Sequence, residues 1–561
     1  MQISNTMIKF ILTITIPLFL ANCGGGGGSD GGSADSGSAA APGTAPGAAP
    51  GSSATTDPKY SYEYEGLKMY AQNMSADAYQ LASLNDSEFN ALNSSQREVV
   101  ADKLLSTLYF GMPRTQVKSL IDSGNFISTI QTMITGKKND LEKIESRLND
   151  SDYEDDSAEF SFSSWPTGTA EVSRILARFY AMEYLDKHYV DYWSAYVLSS
   201  TIMFSPAYEL ASSHAPNIDR VYGALVRNFR EEVTAKYATF LHMISDDNWR
   251  RFRSPEDNGR EMMEIYLMDF DDTHVPVAGQ ALKNWKLDRD NDTLVIGLDE
   301  NTKSLQLFGA TITDGFDFYR ELAKSPDFNK GVTGRLVEVY FPTFSPTWKS
   351  SIVDAIISSD PKTWQDILLQ IVFSKTYLLH SDKPKSAEEL FYSLSRKIHF
   401  EHRRGFFSDF ARSLAEMNQA SMKYKLGKYT EVPLDTQSFI TYHKFIREKV
   451  LIRDKNEWSG GWVPEVLIKD ELFEGISSYE YQQILDTLID HLFLSTIART
   501  ASSEEKNLFR KHMLQDDGTY SRYFELFNTD DNPLSGRIRA SITIMDYISR
   551  LSQTYRFEKV Q

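Results

Sequence analysis

Apolar side chains recur every three or four residues along most of the chain beyond residue 58, which is the period of a helix with one buried face. The clearest example follows the capping-box pattern Ser95-Gln96-Arg97-Glu98 and continues through the apolar positions of Val100–Leu108. Gly111-Met112-Pro113 then forms a typical helix stop. The pattern therefore predicts a helix that begins near Ser95 and ends before Gly111.

The same period predicts helices through the rest of the chain. It marks Leu120–Ile134, Val172–Val197, Val221–Ile244, Trp348–Ile357, Trp364–Leu379, Glu388–Met417, Phe439–Ile452, Tyr479–Thr500 and Ile538–Leu551. Strand patterns are rare, and we expect Leu294–Ile296 to pair with Leu305–Phe308 as one small hairpin. The sequence thus predicts an all-α fold, a multi-helix globular body over residues 58–561 with this minor β element.

The N-terminus has the pattern of an export signal. The apolar stretch Phe10–Leu20 follows Lys9 and leads to Cys23, the only cysteine of the 561 residues. A stretch of about eleven residues is too short for a membrane-spanning helix, which needs roughly 20. We therefore predict a lipoprotein signal peptide over residues 1–22 and lipidation of Cys23 with palmitate-type chains. A transmembrane helix or a buried start of the fold is the alternative interpretation.

In the segment 23–57, the residues that follow Cys23 are almost wholly Gly, Ser, Ala, Pro and Asp. Such a segment lacks the apolar side chains that would offset the entropy of ordering, so we expect a disordered tether between the lipid and the body. Gly24 rather than Asp follows Cys23, which by analogy with enteric lipoproteins favours the outer over the inner membrane of a Gram-negative cell. The expected location is the cell envelope, with the membrane contacted through the lipid anchor.

The net charge and the cysteine content argue against some classes of function. The formal net charge is -18 and no block of Lys or Arg is present, which argues against nucleic acid as a partner. Because the sole cysteine is the predicted lipid site, we expect neither disulfides nor cysteine nucleophiles. The chain also lacks a His-Glu-x-x-His motif, a Gly-x-Ser-x-Gly elbow and a phosphate-binding glycine loop, so the sequence predicts no cofactor.

The most specific local pattern lies at positions 254–265. Ser254 is a predicted helix N-cap, and Pro255 suits the first helical position because no N–H is needed there. Met263, Leu267 and Phe270 form the predicted apolar stripe of this helix. The segment is therefore expected to be a well-capped helix with one buried face.

Arg260 and Glu264 are four residues apart on the border of that stripe, and Glu261 points more toward solvent. Two interpretations remain open. The pair could form a site in which the arginine grips a carboxylate or a sugar oxygen and the glutamate acts as acid or base. Alternatively, the two residues form an i, i+4 ion pair at a buried helix edge, with a structural role.

This helix resembles the Asn-Glu-Asn-Tyr-Ala-Arg-Glu-Leu-x-Glu-Leu motif of a large bacterial family catalogued as domain of unknown function 1800. Other segments resemble that family in the same order, namely Phe110–Pro113, Trp193, Ala281–Trp285, Gly334–Leu336 and Lys383–Ser386 with Glu389. The resemblance implies an exported helical core over about residues 102–394, followed by a helical C-terminal region over about 395–561. The family has no assigned activity, so the resemblance implies none.

The chain departs from the family pattern at several polar positions. Asp257 and Asn258 replace the family's Asn and Tyr, Ser194–Tyr196 replaces a polar Asn-His pair, and Gln280 stands where Arg is usual. If those positions form a reactive or metal site in the family, this chain has lost part of it. The departures favour a role in binding over catalysis.

Two further patterns supply weaker site candidates. Asp288, Asp290 and Asp292 alternate as in a calcium loop, but Thr293 replaces the turn glycine, so a polar approach to a hairpin is the alternative to a metal site. Trp458 and Trp462 flank Ser459-Gly460-Gly461. Trp458, Trp462 and Trp285 are candidate binding residues. Trp458 and Trp462 could stack on a sugar, and the alternative is that they pack on either side of a tight turn.

These observations lead to three functional hypotheses. The first is a lipid-anchored envelope protein with a binding or assembly role toward another exported protein or a surface glycan. The second is an envelope enzyme acting on polysaccharide, with Arg260, Glu261 and Glu264 at its centre. The third is a purely structural lipoprotein. A pocket around these three residues would favour the enzyme.

Overall fold

The computed structural model describes residues 58–560, apart from positions 150–174, 204–217, 253, 289, 291–292, 298–302, 403–435, 452–459, 463–469, 478–479 and 515–533. Helices dominate the described residues, as the periodicity predicts. The first are α1 Asp86–Ala91, α2 Ser94–Tyr109, α3 Arg114–Asp122, α4 Phe126–Met133, α5 Leu141–Asn149, α6 Lys187–Ser200, α7 Ile218–Arg230, α8 Ala235–Met243, α9 Asp246–Arg251, α10 Pro255–Leu267 and α11 Val275–Ala281. They are followed by α12 Gly315–Lys324, α13 Phe328–Tyr340, α14 Pro346–Ser358, α15 Trp364–Phe373, α16 Ala387–Ile398, α17 Thr436–Phe445, α18 Tyr481–Ile497, α19 Ser503–Met513, α20 Leu534–Ile548 and α21 Ser552–Tyr555.

The strands form small two-stranded antiparallel sheets. They are β1 Glu63–Tyr64 with β2 Leu67–Lys68, β3 Trp285–Asp288 with β4 Thr293–Ile296, β5 Leu305–Leu307 with β6 Ala310–Ile312, and β7 Phe400–His402 with β8 Gly460–Trp462. The described β structure thus only supplements the helices, and the fold is all-α.

The predicted hairpin is wrong in its pairing. Leu294–Ile296 pairs with the preceding strand β3, and Leu305–Leu307 pairs with β6. The reason lies in the turn after Leu307, where Phe308 and Gly309 have φ values of 51° and 84°. Two successive residues with positive φ form a tight hairpin turn, so β5 folds back on the residues that follow it.

The N-terminus of α2 lies slightly earlier than predicted. Asn93 is the N-cap: its side chain accepts the Gln96 N–H, and the Gln96 side chain accepts the Asn93 N–H, each at 3.0 Å. Glu98, which the sequence placed in the capping box, forms an ion pair with Arg114 at 2.6 Å instead. The helix ends as predicted, at Phe110 in the left-handed conformation (φ 52°).

Some long periodic stretches contain two helices. Within Val221–Ile244, α7 ends at Arg230 and α8 begins after its N-cap Thr234. Between them Glu232 adopts a positive φ of 57°, and Val233 pairs with Tyr70 in an isolated β-bridge.

Buried apolar side chains form one cluster that extends along the described chain, from Leu67 to Tyr555. The region over about residues 102–394 and the C-terminal region therefore share a core. Residues Arg556–Val560, which we term the C-terminal strap, run beside residues 379–385. The Phe557 N–H donates to the Lys383 carbonyl at 3.0 Å, and the Val560 N–H donates to the Leu379 carbonyl at 2.8 Å.

None of the helices in the described part of the chain has both the length and the apolar character that crossing a membrane requires. The predicted signal peptide, Cys23 and the tether all lie outside the described residues.

Candidate functional site

The segment that carries the family resemblance forms α10 and the turn that follows it. Ser254 caps the helix, its Oγ accepting a hydrogen bond from the Asp257 N–H at 3.3 Å, and Pro255 is the first helical residue. Met263 and Leu267 are buried on the inner face. These features agree with the prediction, because capping and the apolar stripe depend only on residues close in sequence.

Phe270 does not continue the apolar stripe, and this part of the prediction is wrong. The helix ends at Leu267, and Met268 adopts a left-handed conformation with φ 54° that turns the chain away from the helix axis. The side chain of Phe270 is consequently 63% exposed. Single exposed apolar side chains are common on protein surfaces, so the surroundings of the Phe270 ring decide whether it is held in place for contact with a partner.

Arg335 of α13 provides that support. Its guanidinium lies over the Phe270 ring, 5.6 Å from the ring centroid, and one Nη donates to the Glu264 carbonyl at 2.7 Å. Burial lowers the pKa of Arg335, against the opposing influence of the Glu264 and Glu261 carboxylates. The arginine thus links α13 to the end of α10 and holds the aromatic ring from one side.

Arg260 forms its ion pair with Asp272 rather than with Glu264. The Nε–Oδ1 distance is 2.9 Å, and the two side chains are 41% and 71% exposed. The hydrogen bond to Asp272 and its charge raise the pKa of Arg260. The i, i+4 ion pair at a buried helix edge is therefore wrong, because the turn after α10 brings Asp272 back beside the arginine.

Arg260, Glu261 and Glu264 thus lie together with Phe270, and with two residues that the helical spacing did not indicate. We call this set the motif surface; it consists of Arg260, Glu261, Glu264, Phe270, Asp272 and Arg335. Glu261 and Glu264 are half-buried. The surface combines an exposed aromatic ring with arginines and carboxylates, a composition suited to contact with a polar partner. Exposure of the Arg260–Asp272 pair leaves its attraction screened by water.

Trp285 is a core residue. Its side chain is 3% exposed and packs among the rings of Trp249, Phe316 and Tyr319, with centroid distances of 5.8, 4.9 and 5.5 Å. A tryptophan enclosed in this way has no face available to a sugar. The packing alternative therefore describes Trp285.

The other two tryptophan candidates are close in sequence, at and before β8. Trp462 is the last residue of β8, and its backbone pairs with Phe400. Trp458 lies outside the described residues. Their proposed stacking on a sugar stays a prediction.

The aspartates of the calcium-like pattern lie at a hairpin. Asp288 ends β3 and its carboxylate accepts the Asp290 N–H at 2.9 Å, while Asp290 is exposed in the turn. Asp292 lies outside the described residues. Within the part of the chain that the structure describes, no group of three or more His, Cys, Asp or Glu side chains could hold a metal ion.

A second polar site lies at the start of α16, where the sequence had shown only a family resemblance. Lys383 Nζ contacts both carboxylate oxygens of Glu389, at 2.8 and 2.6 Å, and both side chains are buried. Glu389 also accepts the Ser386 N–H at 2.8 Å, and Ser386 Oγ accepts the Glu389 N–H at 3.1 Å. The Glu389 carboxylate therefore takes part both in a buried ion pair with Lys383 and in a capping box with Ser386.

Two more buried lysines lie in the same region, and both have hydrogen-bond acceptors. Lys397 contacts the Asp102 carboxylate at 2.5 Å and the Thr496 carbonyl at 3.2 Å. Lys103 donates to three backbone carbonyls at 3.3, 3.0 and 2.7 Å, those of Tyr377, Leu378 and Ser381. Burial lowers the pKa of Lys103 to about 7, while these carbonyls favour its charged form.

We call this second site the buried lysine cluster; it consists of Asp102, Lys103, Lys383, Lys385, Glu389 and Lys397. Sequence reasoning missed it as a site, because its members come from distant parts of the chain. The available signal was local: two lysines and a serine at Lys383–Ser386, directly before an apolar helical pattern. Lysines are usually exposed, so the burial of Lys103, Lys383, Lys385 and Lys397 together distinguishes this site.

Comparison with family models, with curated proteins and with solved structures returned no match. The arguments about function therefore rest on the geometry of the chain itself.

Proposed function

We propose that this protein is a lipid-anchored binding protein of the cell envelope, which uses the motif surface to bind another exported protein or a surface glycan. The observation that carries the proposal is the exposed ring of Phe270, supported on one side by the Arg335 guanidinium. Binding energy at interfaces concentrates in a few aromatic and arginine side chains. A ring that is already held in place loses little conformational entropy on binding.

The charged residues around the ring supply specificity. Arg260 and Asp272 present a donor and an acceptor close to α10, and both remain accessible to solvent. Such groups can form hydrogen bonds with sugar hydroxyls or with polar side chains of a protein. The acidic character of the chain, with a net charge of -18, favours partners that are neutral or basic at this surface.

The anchor is part of the proposal and can be tested separately. We expect Cys23→Ser to abolish incorporation of labelled palmitate and to release the protein from the membrane fraction, because residues 1–22 and Cys23 have the pattern of a lipoprotein signal. Unchanged membrane association of the Cys23→Ser variant, without palmitate in the wild type, would contradict lipid anchoring.

The binding role is tested by capture from cross-linked envelopes with the full chain as bait, followed by identification of bound proteins and glycans. The wild type is compared with Phe270→Ala. Leu508→Ala is the matched control, because Leu508 is also exposed, at 51%, on α19. We expect Phe270→Ala to reduce capture by at least about tenfold and Leu508→Ala to leave it unchanged.

The outcomes separate the hypotheses. Loss of a defined partner in the Phe270→Ala variant alone supports the motif surface, and the nature of that partner distinguishes protein from glycan. Equal capture by all three proteins contradicts a role for this surface. Absence of any partner favours a purely structural lipoprotein. The polysaccharide enzyme would have Arg260, Glu261 and Glu264 at its centre, and among the described residues Arg260 pairs with Asp272 instead, so the geometry of the motif surface does not favour it.

A further inference from the structure

A second exposed aromatic ring is attached to the same helix pair as the motif surface. Helix α13, which carries Arg335, packs against both α10 and α14. Trp348 lies in the first turn of α14, and its side chain is 58% exposed, close to the 63% of Phe270. Because large apolar side chains are usually buried, two such exposed rings on helices that share α13 indicate one contact surface.

The ring of Trp348 is held in place, as that of Phe270 is. Phe344 contacts it edge to face, with 5.6 Å between the ring centroids and an angle of 82° between the planes. Phe344 packs in turn on the fully buried ring of Phe341, at 5.2 Å. The backbone is fixed as well, since the Trp348 N–H donates to Oγ of the N-cap Ser345 at 3.4 Å. A partner that binds Trp348 therefore has little side-chain motion to restrict.

Charged side chains connect the two rings across α13. Arg335 supports Phe270, and Glu338 follows three residues later on the same side of the helix. The Glu338 carboxylate forms an ion pair with Lys349, the residue next to Trp348. With the usual rise along a helix and the usual distance between packed helices, the two rings are on the order of 20 Å apart. One protein face of standard size, about 800 Å² and roughly 30 Å across, can cover both.

The exposure of the two rings favours a protein over a glycan as the partner. Rings that are 63% and 58% exposed project from the surface, so the partner has to supply the recesses that enclose them. At protein interfaces, aromatic anchors enter well-packed pockets of the partner and contribute most of the binding energy there. An extended sugar chain has no such pockets, and sites that bind small ligands are themselves concave.

The carboxylates beside Phe270 define the charge of that partner. Asp269 and Asp271 flank the ring in the chain, and each fixes the turn by accepting a backbone N–H at 3.0 Å, that of Asp271 and that of Thr273 respectively. Neither carboxylate forms an ion pair with another described residue. Opposite charges at the edge of an interface steer association, so a basic rim around the pocket for Phe270 complements these two aspartates.

We propose, resting on the proposed function, that the partner is a protein that lies across α13 and receives Phe270 in one apolar pocket and Trp348 in another, with Lys and Arg side chains around the first pocket. Trp348 is then a second anchor of the binding surface. Arg335, Glu338 and Lys349 lie between the two pockets and contact polar groups of the partner.

The anchors are tested with the immobilised full chain and a defined probe, a detergent extract of envelopes from cells that lack this protein. Half of the extract is digested with a protease beforehand. We expect the species that the wild type captures to disappear after digestion. Trp348→Ala should reduce its capture by at least about tenfold, as Phe270→Ala does, while Leu508→Ala should leave it unchanged. Melting temperatures should agree among these variants, because all three side chains are exposed.

The charge of the partner is tested with the double variant Asp269→Asn and Asp271→Asn, which keeps the oxygens that accept the turn hydrogen bonds. The association rate of the captured protein is measured at about 50 mM and about 500 mM salt. We expect the double variant to bind about three- to tenfold more slowly at the lower salt concentration and at the wild-type rate at the higher one. Glu504→Gln, which removes a carboxylate from the exposed side of α19, is the control and should leave both rates unchanged.

Three results overturn this proposal and leave the proposed function intact, provided that Phe270→Ala still abolishes capture. They are full capture by Trp348→Ala, a captured species that survives protease treatment, and an unchanged association rate of the double variant at low salt. Failure of the wild type to capture anything contradicts the proposed function and this proposal together.

Discussion

Gly331 lies against the backbone carbonyl of Tyr266, where α13 crosses α10. A Cβ atom on Gly331 would be 2.3 Å from the Tyr266 oxygen and 2.6 Å from the Leu267 Cα. The two helices therefore meet backbone to backbone at this point. Arg335 lies one turn further along α13, on the same face, and this close approach brings its guanidinium to the Glu264 carbonyl and the Phe270 ring.

We expect Gly331→Ala to destabilise the protein by about 1–3 kcal/mol, because the added methyl group meets rigid backbone and forces the helices apart. The same shift should weaken the contact between Arg335 and Phe270. The measurement is the urea dependence of unfolding. Gly223→Ala is the control: Gly223 lies within α7, and a Cβ atom there would be 3.8 Å from Nη1 of Arg227, so the substitution should instead stabilise the protein by about 0.5–1 kcal/mol. Equal effects of the two substitutions would contradict the close approach.

The Arg260–Asp272 ion pair should contribute little to stability. Both side chains are largely exposed, so water screens their attraction. We expect Arg260→Ala and Asp272→Ala each to change the melting temperature by less than about 2 °C, as calorimetry can measure. A larger loss in both single variants would show that the pair has a structural role that its exposure does not reveal.

The Lys383–Glu389 pair should behave in the opposite way, because both side chains are buried. Glu389→Gln keeps an oxygen for the Ser386 N–H but leaves the Lys383 charge without a counterion. We expect a loss of about 3–5 kcal/mol in the free energy of unfolding. Combining Glu389→Gln with Lys383→Met removes the unpaired charge and should recover part of that loss. A double variant no more stable than Glu389→Gln alone would contradict this explanation.

The sequence predicted those features of the fold that depend on adjacent residues, and missed those that depend on residues elsewhere in the chain. The start of α10 at Ser254 and Pro255 depends on a few adjacent residues, and it was predicted correctly. The pairing of Leu305–Leu307 was not, because it depends on the positive φ values of Phe308 and Gly309, which the apolar pattern does not show. Local periodicity identifies helices, whereas the partner of a strand depends on the turn beside it.

The candidate site shows the same limit. One of the two interpretations of the spacing along α10 paired Arg260 with Glu264, but the chain reverses after Met268 and supplies Asp272 instead. The support of Phe270 by Arg335 joins residues far apart in sequence, and so does the pairing of Lys397 with Asp102. No pattern in one segment could reveal these contacts, since they depend on how the helices pack.

The Arg499–Glu505 pair at the N-terminus of α19 predicts a dependence of stability on acid. Two guanidinium nitrogens of Arg499 contact the two Glu505 oxygens, each at 2.8 Å, and the Ser502 N–H donates to the same carboxylate at 2.8 Å. The hydrogen bonds from Arg499, with smaller effects of Ser502 and the arginine charge, lower the pKa of Glu505 from 4.5 to about 2 against the effect of burial. The carboxylate form is therefore favoured in the folded state.

A group whose pKa is lower in the folded than in the unfolded state stabilises the protein at pH values above its unfolded pKa. This contribution disappears as the pH falls through the folded pKa. For Glu505 that window lies between about pH 4.5 and about pH 2. We expect Glu505→Gln to lower the melting temperature at neutral pH and to flatten its decline across this window. Glu504→Gln, at the exposed neighbouring position, should retain the wild-type decline. A Glu505→Gln variant whose melting temperature falls as steeply as that of the wild type would show that another group controls acid unfolding.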